Sequence, residues 1–241
     1  MADYVDLHCH FVPGVDDGAR SEQESRQMLS GLRELGFGTV VATPHMRPGL
    51  FDNTAELLRL RYGALEQTLL GYPGLPKIAL SAEHYFDDVV FSRIRGASAL
   101  PYPGDHAILL EFYNSDFPYS LDQRLADICR MGLTPVIAHP ERYKPLEKSP
   151  EILERLLDLG AAALLDIAAL VGKYGRHARR TAEALLERGL YAAACSDAHR
   201  PSDVAEVADG IKWVRGHYGD NEVTALFVTG PQALLSGHKP A

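Results

Sequence analysis

Residues 121–139 read LDQRLADICRMGLTPVIAH, and the fold is inferred from the unit they form. Leu121–Met131 has helical spacing and stops at Gly132, a residue free to take the left-handed turn that ends a helix. Thr134–His139 follows as a short apolar run, as expected of a strand buried on both faces. The unit recurs downstream. Helix Glu151–Leu159 stops at Gly160 before strand Ala162–Ile167, and helix His177–Arg188 stops at Gly189 before strand Tyr191–Ser196. Upstream the alternation continues, with strands expected at Tyr4–His8, Gly38–Thr43, Lys77–Glu83 and Ala107–Phe112 and helices at Glu22–Leu35 and Thr54–Leu70. Thr54 is the expected cap of the latter helix, and Leu57, Leu58, Leu65 and Leu69 its expected inner face. The roughly twenty residues after Glu83 show no regular pattern. Further helices are expected from about Pro201 to His217 and near the C-terminus. Seven strands joined mostly by helices favour parallel pairing. No Pro-, Gly- or Ser-rich linker divides residues 1–241, so the expectation is one α/β domain, a barrel or barrel-like sheet of seven β/α units.

Apolar residues make up 46% of the chain and charged residues 23%, which excludes a disordered or low-complexity protein. The net charge is −8, and a nucleic-acid binder would carry a surplus of Lys and Arg instead. The three cysteines, Cys9, Cys129 and Cys195, are too few and too widely spaced for a disulfide framework. The start MADYVD has no basic segment followed by an apolar core, and no apolar run nears the roughly 20 residues that span a bilayer. A cytoplasmic protein without membrane insertion is expected. Oligomeric state leaves no mark on the sequence.

The expected strands end in residues suited to metals. The ends read DLHCH (6–10), ATPH (42–45), SAEH (81–84), Glu111, AHPER (138–142) and CSDAH (195–199). In a parallel α/β barrel such ends converge on one face. His8 and His10, two apart on an extended backbone, point to one side and can share an ion; Asp197 and His199 can do the same unless the chain turns between them. Gathered carboxylates and imidazoles without ions would be buried and unpaired. His84, His106, His177, His217 and His238 are read as structural or solvated. Cys9 and Cys195 are out of phase with the candidate ligands and are read as small buried residues. A cysteine phosphatase loop needs Arg six positions after Cys, and those positions hold Val15, Pro135 and Pro201, with Arg200 one short. Gly-x-Ser-x-Gly, GxGxxG and P-loop patterns are absent.

DLHCH, VDDGA, ATPHM, SAEHYFD, LLEF, IAHPERY and CSDAH occur in that order over most of the chain. The pattern resembles the polymerase-and-histidinol-phosphatase (PHP) superfamily of metal-dependent phosphoesterases. VDDGA and IAHPERY are similar to its CpsB/CapC group of bacterial tyrosine-protein phosphatases from capsule and exopolysaccharide operons. The resemblance implies a distorted seven-stranded, TIM-barrel-like fold with three metal ions. His8, His10, Glu83 and Asp197 would hold the first. Glu83, Glu111 and His139 would hold the second, and Asp17, His45 and His199 the third. The set lacks thiolate and suits Mn(II), Fe(II) or Zn(II), and the family suggests manganese.

The implied reaction is hydrolysis of phosphotyrosine by a hydroxide that the metals activate, with a capsule tyrosine kinase tail as protein substrate. Three dications would bring the formal charge of the chain from −8 to −2. Arg142, three residues after His139, could grip two phosphate oxygens; the plainer alternative is an ion pair with Glu141 or Glu147. His139 and Glu111 would act in catalysis through the second ion. Two departures from the family pattern concern substrate choice. Arg200 stands where a polar stretch and a later arginine are usual, and is a substitute for that arginine. The segment Asp166–Gly175 is shorter and more apolar than usual. The alternatives are a small-molecule phosphatase acting on a compound such as histidinol phosphate, an amidohydrolase, which would need a bridging Lys that no strand end offers, and a binding module with a vestigial site.

Overall fold

The structure, a computed structural model, describes residues 3–238. In chain order its elements are β1 (Tyr4–Cys9), α1 (Glu22–Glu34), β2 (Phe37–Ala42), β3 (His45–Met46), α2 (Ala55–Leu69), β4 (Lys77–Leu80), β5 (Glu83–Tyr85), α3 (Asp88–Arg95), β6 (Ala107–Glu111) and α4 (Leu121–Arg130). There follow β7 (Thr134–Ala138), α5 (Lys144–Lys148), α6 (Glu151–Asp158), β8 (Ala162–Asp166), α7 (Gly175–Glu187), β9 (Ala193–Cys195), α8 (Asp203–Tyr218), α9 (Asp220–Thr224) and α10 (Gly230–Ser236). All named strands pair in parallel, in the α/β manner expected.

The strands form two sheets, ordered β1-β2-β4 and β3-β5-β6-β7-β8-β9. Two of the expected strands are broken. Thr43 and Pro44 separate β2 from β3, and Ser81 and Ala82 separate β4 from β5. Proline has no N–H to give a ladder, so the break falls where Pro44 stands. Two bonds cross it: Ser81 N–H donates to the Ala42 carbonyl (2.8 Å) and Glu83 N–H to the Pro44 carbonyl (3.1 Å). On the other side β1 meets the segment after β9 through a parallel bridge, Cys9 to Ala198. Asp197 N–H donates to the His8 carbonyl and His10 N–H to the Ala198 carbonyl, both at 2.9 Å.

Among the described residues the ring of strands is not closed by one continuous ladder, because β4 has no strand on its outer side. Residues 99–102 serve there instead. The Ser81 hydroxyl donates to the Leu100 carbonyl, and the buried Tyr102 hydroxyl donates to the Leu7 carbonyl at 2.8 Å. Tyr102 sits in the inner core with Val5, Leu7, Val41, Leu109 and Leu164.

The patternless stretch after Glu83 is ordered. It contains β5 and α3, the latter capped by the Asp87 carboxylate, which accepts from Val90 N–H. Thr54 caps α2 as expected, but only Leu58, Leu65 and Leu69 are buried; Leu57 lies on the outer face, 37% exposed. Leu57 and Leu58 are adjacent, and at 100° per residue a single inner stripe takes one of them. Among the described residues no helix is long and apolar enough to cross a membrane.

Candidate metal centre

β1 sets the first two imidazoles. Val5 and Leu7 face the inner core, whereas Cys9 packs in the outer layer with α1. The change of phase follows a register shift against β2 between Asp6 and Cys9. The Asp6 carboxylate takes the backbone N–H groups of His8 (3.2 Å) and Ser196 (3.0 Å) there. Bulges of this kind re-aim side chains near active sites. His8 and His10 thereby point the same way, with their Nε2 atoms 3.1 Å apart.

Glu83 Oε2 lies 3.3 Å from His8 Nε2 and 3.5 Å from His10 Nε2, and Asp197 Oδ1 lies at the same two distances from them. Bonds of about 2.1 Å to one ion require donor spacings of roughly 3.0–3.4 Å. The four atoms span this range within a few tenths of an ångström. His139 Nε2 is 2.9 Å from the other Glu83 oxygen, Oε1. His45 Nδ1 is 2.9 Å from Glu83 Oε2 and 3.6 Å from Glu111 Oε2. Asp17 Oδ1 lies 3.5 Å from both His45 Nε2 and His199 Nε2.

All nine candidate ligands meet in one place. Their donor atoms form four overlapping groups, each within 4.8 Å: His10, Asp17, His45 and His199; His8, His10 and Asp197; His8, Glu83 and His139; His45, Glu83 and Glu111. The grouping is more interleaved than the three implied sets, since His10 also reaches the Asp17 group and His45 also reaches Glu83. Asp17 is 57% exposed and so marks the solvent side. Asp197 turns left-handed at φ 43°, which separates it from His199 as anticipated for a turning chain.

The electrostatics call for positive charge. Burial would raise Glu83 and Asp197, but neighbouring imidazoles, and Arg142 for Asp197, outweigh it and hold both well below the usual range. Burial and the adjacent Glu83 push Glu111 up to about 7. Burial and Arg142 lower His139 to about 4. Glu111 Oε2, Asp197 Oδ1 and His45 Nδ1 are buried without a hydrogen-bond partner among the described residues. His45 Nδ1 faces Glu83 closely yet without hydrogen-bond alignment. Lone pairs converging unbridged fit divalent ions. The two buried cysteines stay outside: Cys9 and Cys195 thiols donate to the Ala198 and Leu165 carbonyls, and burial raises both well above the ordinary value.

Asp16, which the sequence did not single out, braces the centre. Its Oδ2 holds His10 Nδ1 at 2.8 Å and accepts His45 N–H at 3.0 Å, and its Oδ1 accepts Gly18 N–H at 2.9 Å. The contact presents the His10 Nε2 lone pair to the site. Gly18 allows the turn to close, since a Cβ there would stand 2.2 Å from the His10 carbonyl oxygen. Asn53 ties the same loop to β3, donating to the Val15 and His45 carbonyls. An Asp-Asp-Gly run after a His-x-His strand was the available signal.

Arg142 follows from HPER. His139 takes φ 34°, and Pro140 starts a short 3₁₀ turn (Pro140–Arg142) with its ring preset for that position. Arg142 pairs with neither Glu141 nor Glu147. Its Nη1 lies 2.9 Å from Asp197 Oδ2 and 4.0 Å from Asp166 Oδ2, and its guanidinium sits 4.6 Å above the Tyr174 ring. Glu141 is buried and accepts from Asp166 N–H and the Tyr191 hydroxyl. Arg200 is turned to the loops: its Nη1 donates to the Gly18 and His199 carbonyls. It is not among the residues lining the cavity over the site, which measures about 360 Å³ and includes Arg142, Tyr174, Phe51 and Leu50 in its wall. Phe51 stacks on His45 with ring centroids 5.3 Å apart. The histidines set aside belong to none of the four groups; His84, for one, donates from Nδ1 to the Leu109 carbonyl and accepts Leu100 N–H at Nε2.

A family model described as capsular polysaccharide synthesis, CpsB/CapC, matches residues 4–236. The chain belongs to the CpsB/CapC family. This CpsB/CapC chain is 29% identical over 195 residues to tyrosine-protein phosphatase YwqE of Bacillus subtilis strain 168, covering 81% of this chain and 77% of that one. It is 27% identical over 240 residues to tyrosine-protein phosphatase CpsB of Streptococcus pneumoniae, covering 96% and 98%. A solved structure from work on YwqE and CpsB, there called unique metal-dependent tyrosine phosphatases, superposes with a TM-score of 0.89 at 26% identity over 97% of this chain and 95% of that one. The Escherichia coli phosphotriesterase homology protein shares the fold at a TM-score of 0.59 and 15% identity, over 97% and 99% of the two chains.

Proposed function

We propose that this chain is a metal-dependent protein-tyrosine phosphatase of capsule or exopolysaccharide synthesis, a phosphoric monoester hydrolase. The observation that carries the reading is the convergence of nine imidazoles and carboxylates, all but Asp17 buried or half-buried and several with unpartnered atoms, beneath an arginine-edged cavity. The relatives named tyrosine-protein phosphatase support it over hydrolysis of a small phosphate ester.

Three ions are the proposed complement. His8, His10, Glu83 and Asp197 would hold one, Glu83, Glu111 and His139 a second, and Asp17, His45 and His199 a third. Manganese is the proposed metal, with Fe(II) and Zn(II) compatible with the same nitrogen and oxygen donors. Bound there, divalent ions supply Lewis acidity toward phosphoryl oxygens and make water a nucleophile at neutral pH. The chain does the rest. Arg142, steadied by Asp197 and Tyr174, binds phosphate oxygens in a planar, bidentate way. Asp16 fixes the tautomer of His10. Phe51 and Leu50 form an apolar wall against which a phenyl ring can lie. A tyrosinate leaving group has a pKa near 10 and needs less protonation than an alkoxide would. The tail of a bacterial capsule tyrosine kinase is the proposed substrate and the cytoplasm the proposed setting, in keeping with cysteines too few and too widely spaced for a disulfide framework.

The test is turnover of a phosphotyrosine peptide before chelation, after chelation and after adding Mn(II) back, beside histidinol phosphate. Loss on chelation and recovery with Mn(II) is expected. Strong selectivity for histidinol phosphate would overturn the reading.

A further inference from the structure

Between β8 and α7 the chain departs from the family pattern in the short, apolar segment Asp166–Gly175. The segment builds one braced turn. Ile167–Val171 winds as a 3₁₀ helix, Asp166 Oδ1 accepts Ala168 N–H at 2.9 Å, and Gly172 at φ 92° ends it. Gly210 of α8 packs against the turn so closely that a Cβ there would stand 2.6 Å from the Ile167 carbonyl oxygen. Lys173 is tied to the start of α8, 3.6 Å from Asp203 Oδ2 and 3.7 Å from Glu206 Oε2. Held in this way, the turn returns Tyr174 to the cavity wall, where its ring lies 4.6 Å from the Arg142 guanidinium.

Arg142 is therefore held at one face and one edge. Tyr174 covers the face. At the edge, Nη1 lies 2.9 Å from Asp197 Oδ2 and 4.0 Å from Asp166 Oδ2. Among the described residues neither Nε nor Nη2 makes a hydrogen bond. The two acids differ in kind. Asp197 is a candidate ligand, with Oδ1 3.3 Å from His8 Nε2, so its charge would be shared with an ion. Asp166 belongs to none of the four donor groups. It is fully buried, and its Oδ2 has no hydrogen-bond partner among the described residues. Such an oxygen is costly to bury unless a cation faces it, and Arg142 is the cation within 4.0 Å.

We infer that Asp166 is a positioning residue: it anchors the Nη1 edge of Arg142 and so leaves the Nε and Nη2 donors for phosphoryl oxygens. The inference rests on the proposed phosphatase activity for the identity of the anion that Arg142 meets. A planar guanidinium binds two oxygens well only when its orientation is fixed. Capping of the turn by Oδ1 is a separate role, and Asp166→Asn parts the two. It keeps an oxygen for Ala168 N–H and removes the charge that faces Arg142.

The test is a double-mutant cycle read in binding. Kd for inorganic phosphate is measured by calorimetry on the metal-loaded protein, for wild type, Asp166→Asn, Arg142→Ala and the double variant, with metal content and Tm alongside. Asp166→Asn is expected to raise Kd about tenfold at unchanged metal content, and by less than about twofold once Arg142 is gone. Arg142→Met, which keeps the buried stem, replaces Arg142→Ala if the latter does not fold. An unchanged Kd, losses that multiply in the double variant, or loss of metal from Asp166→Asn would each overturn the inference. The value of kcat/KM for phosphotyrosine should show the same non-additive pattern. If phosphate binding shows it and no phosphotyrosine compound is turned over, the proposed activity falls while the positioning role stands.

Discussion

Asp16 holds the His10 imidazole and the backbone N–H of His45, so removing it should disturb the site without removing a donor. Asp16→Ala is expected to weaken metal binding by about 10–100-fold, read by titration with a metal-competing dye. Unchanged affinity would refute the role. His139→Ala should lower turnover about a hundredfold or more and reduce the metal content measured by mass spectrometry. Arg142→Ala should keep its metals and raise KM while lowering kcat, since the guanidinium meets the phosphate rather than an ion. Cys195→Ser should retain activity, because that thiol donates to a backbone carbonyl and faces away from the donors. Eight of the nine convergent residues were legible in the sequence because strand ends expose function in a regular pattern, whereas Asp17 lies in a loop and was reached only through the family resemblance. Asp16 was not, because a carboxylate in an Asp-Asp-Gly run looks the same whether it caps a turn or orients a histidine. Arg142 was expected at the site, but its partners, Asp197 and Tyr174, lie 55 and 32 residues away in the chain and left no local trace.

At the level of elements, the turn after β7 buries Glu141 against β8. Burial and the nearby Asp166 raise its carboxyl from 4.5 to about 8. A folded-state pKa above the unfolded one means the folded chain holds the proton longer. Its contribution is therefore full below about pH 4.5 and is lost as pH rises through about 8. Glu141→Gln should accordingly gain stability over wild type between pH 5 and pH 8, by a few kcal/mol at most. Urea unfolding at the two pH values checks this, and parallel losses would contradict it. The β/α alternation was readable from Gly stops and apolar runs. The split of two strands was not: Pro44 marks the first break, but nothing between Leu80 and Glu83 announces the second. α3 escaped notice because eight residues carry too little periodicity to stand out, although its cap, Asp87, is plain afterwards.

For the molecule as a whole, the centre joins β1, β3, β5, β6, β7 and the ends of β9 and the Asp16–Asp17 loop. Metal loading should therefore stabilise the entire fold. Chelation is expected to lower Tm by about 10 °C, reversed by Mn(II), as binding at 1,000 times Kd would give in a chain of this size. An unchanged Tm would show that the residues hold no ion. The two left-handed non-glycine residues at the centre, His139 at φ 34° and Asp197 at φ 43°, have a further consequence. Each holds backbone strain of about 1–3 kcal/mol that a glycine would release. At these two positions the strain is kept because the side chains are candidate ligands. The other left-handed non-glycine residues, Ala97 and Asp105, hold no candidate ligand, and in a population selected only for survival at high temperature they are where substitutions to glycine would gather first.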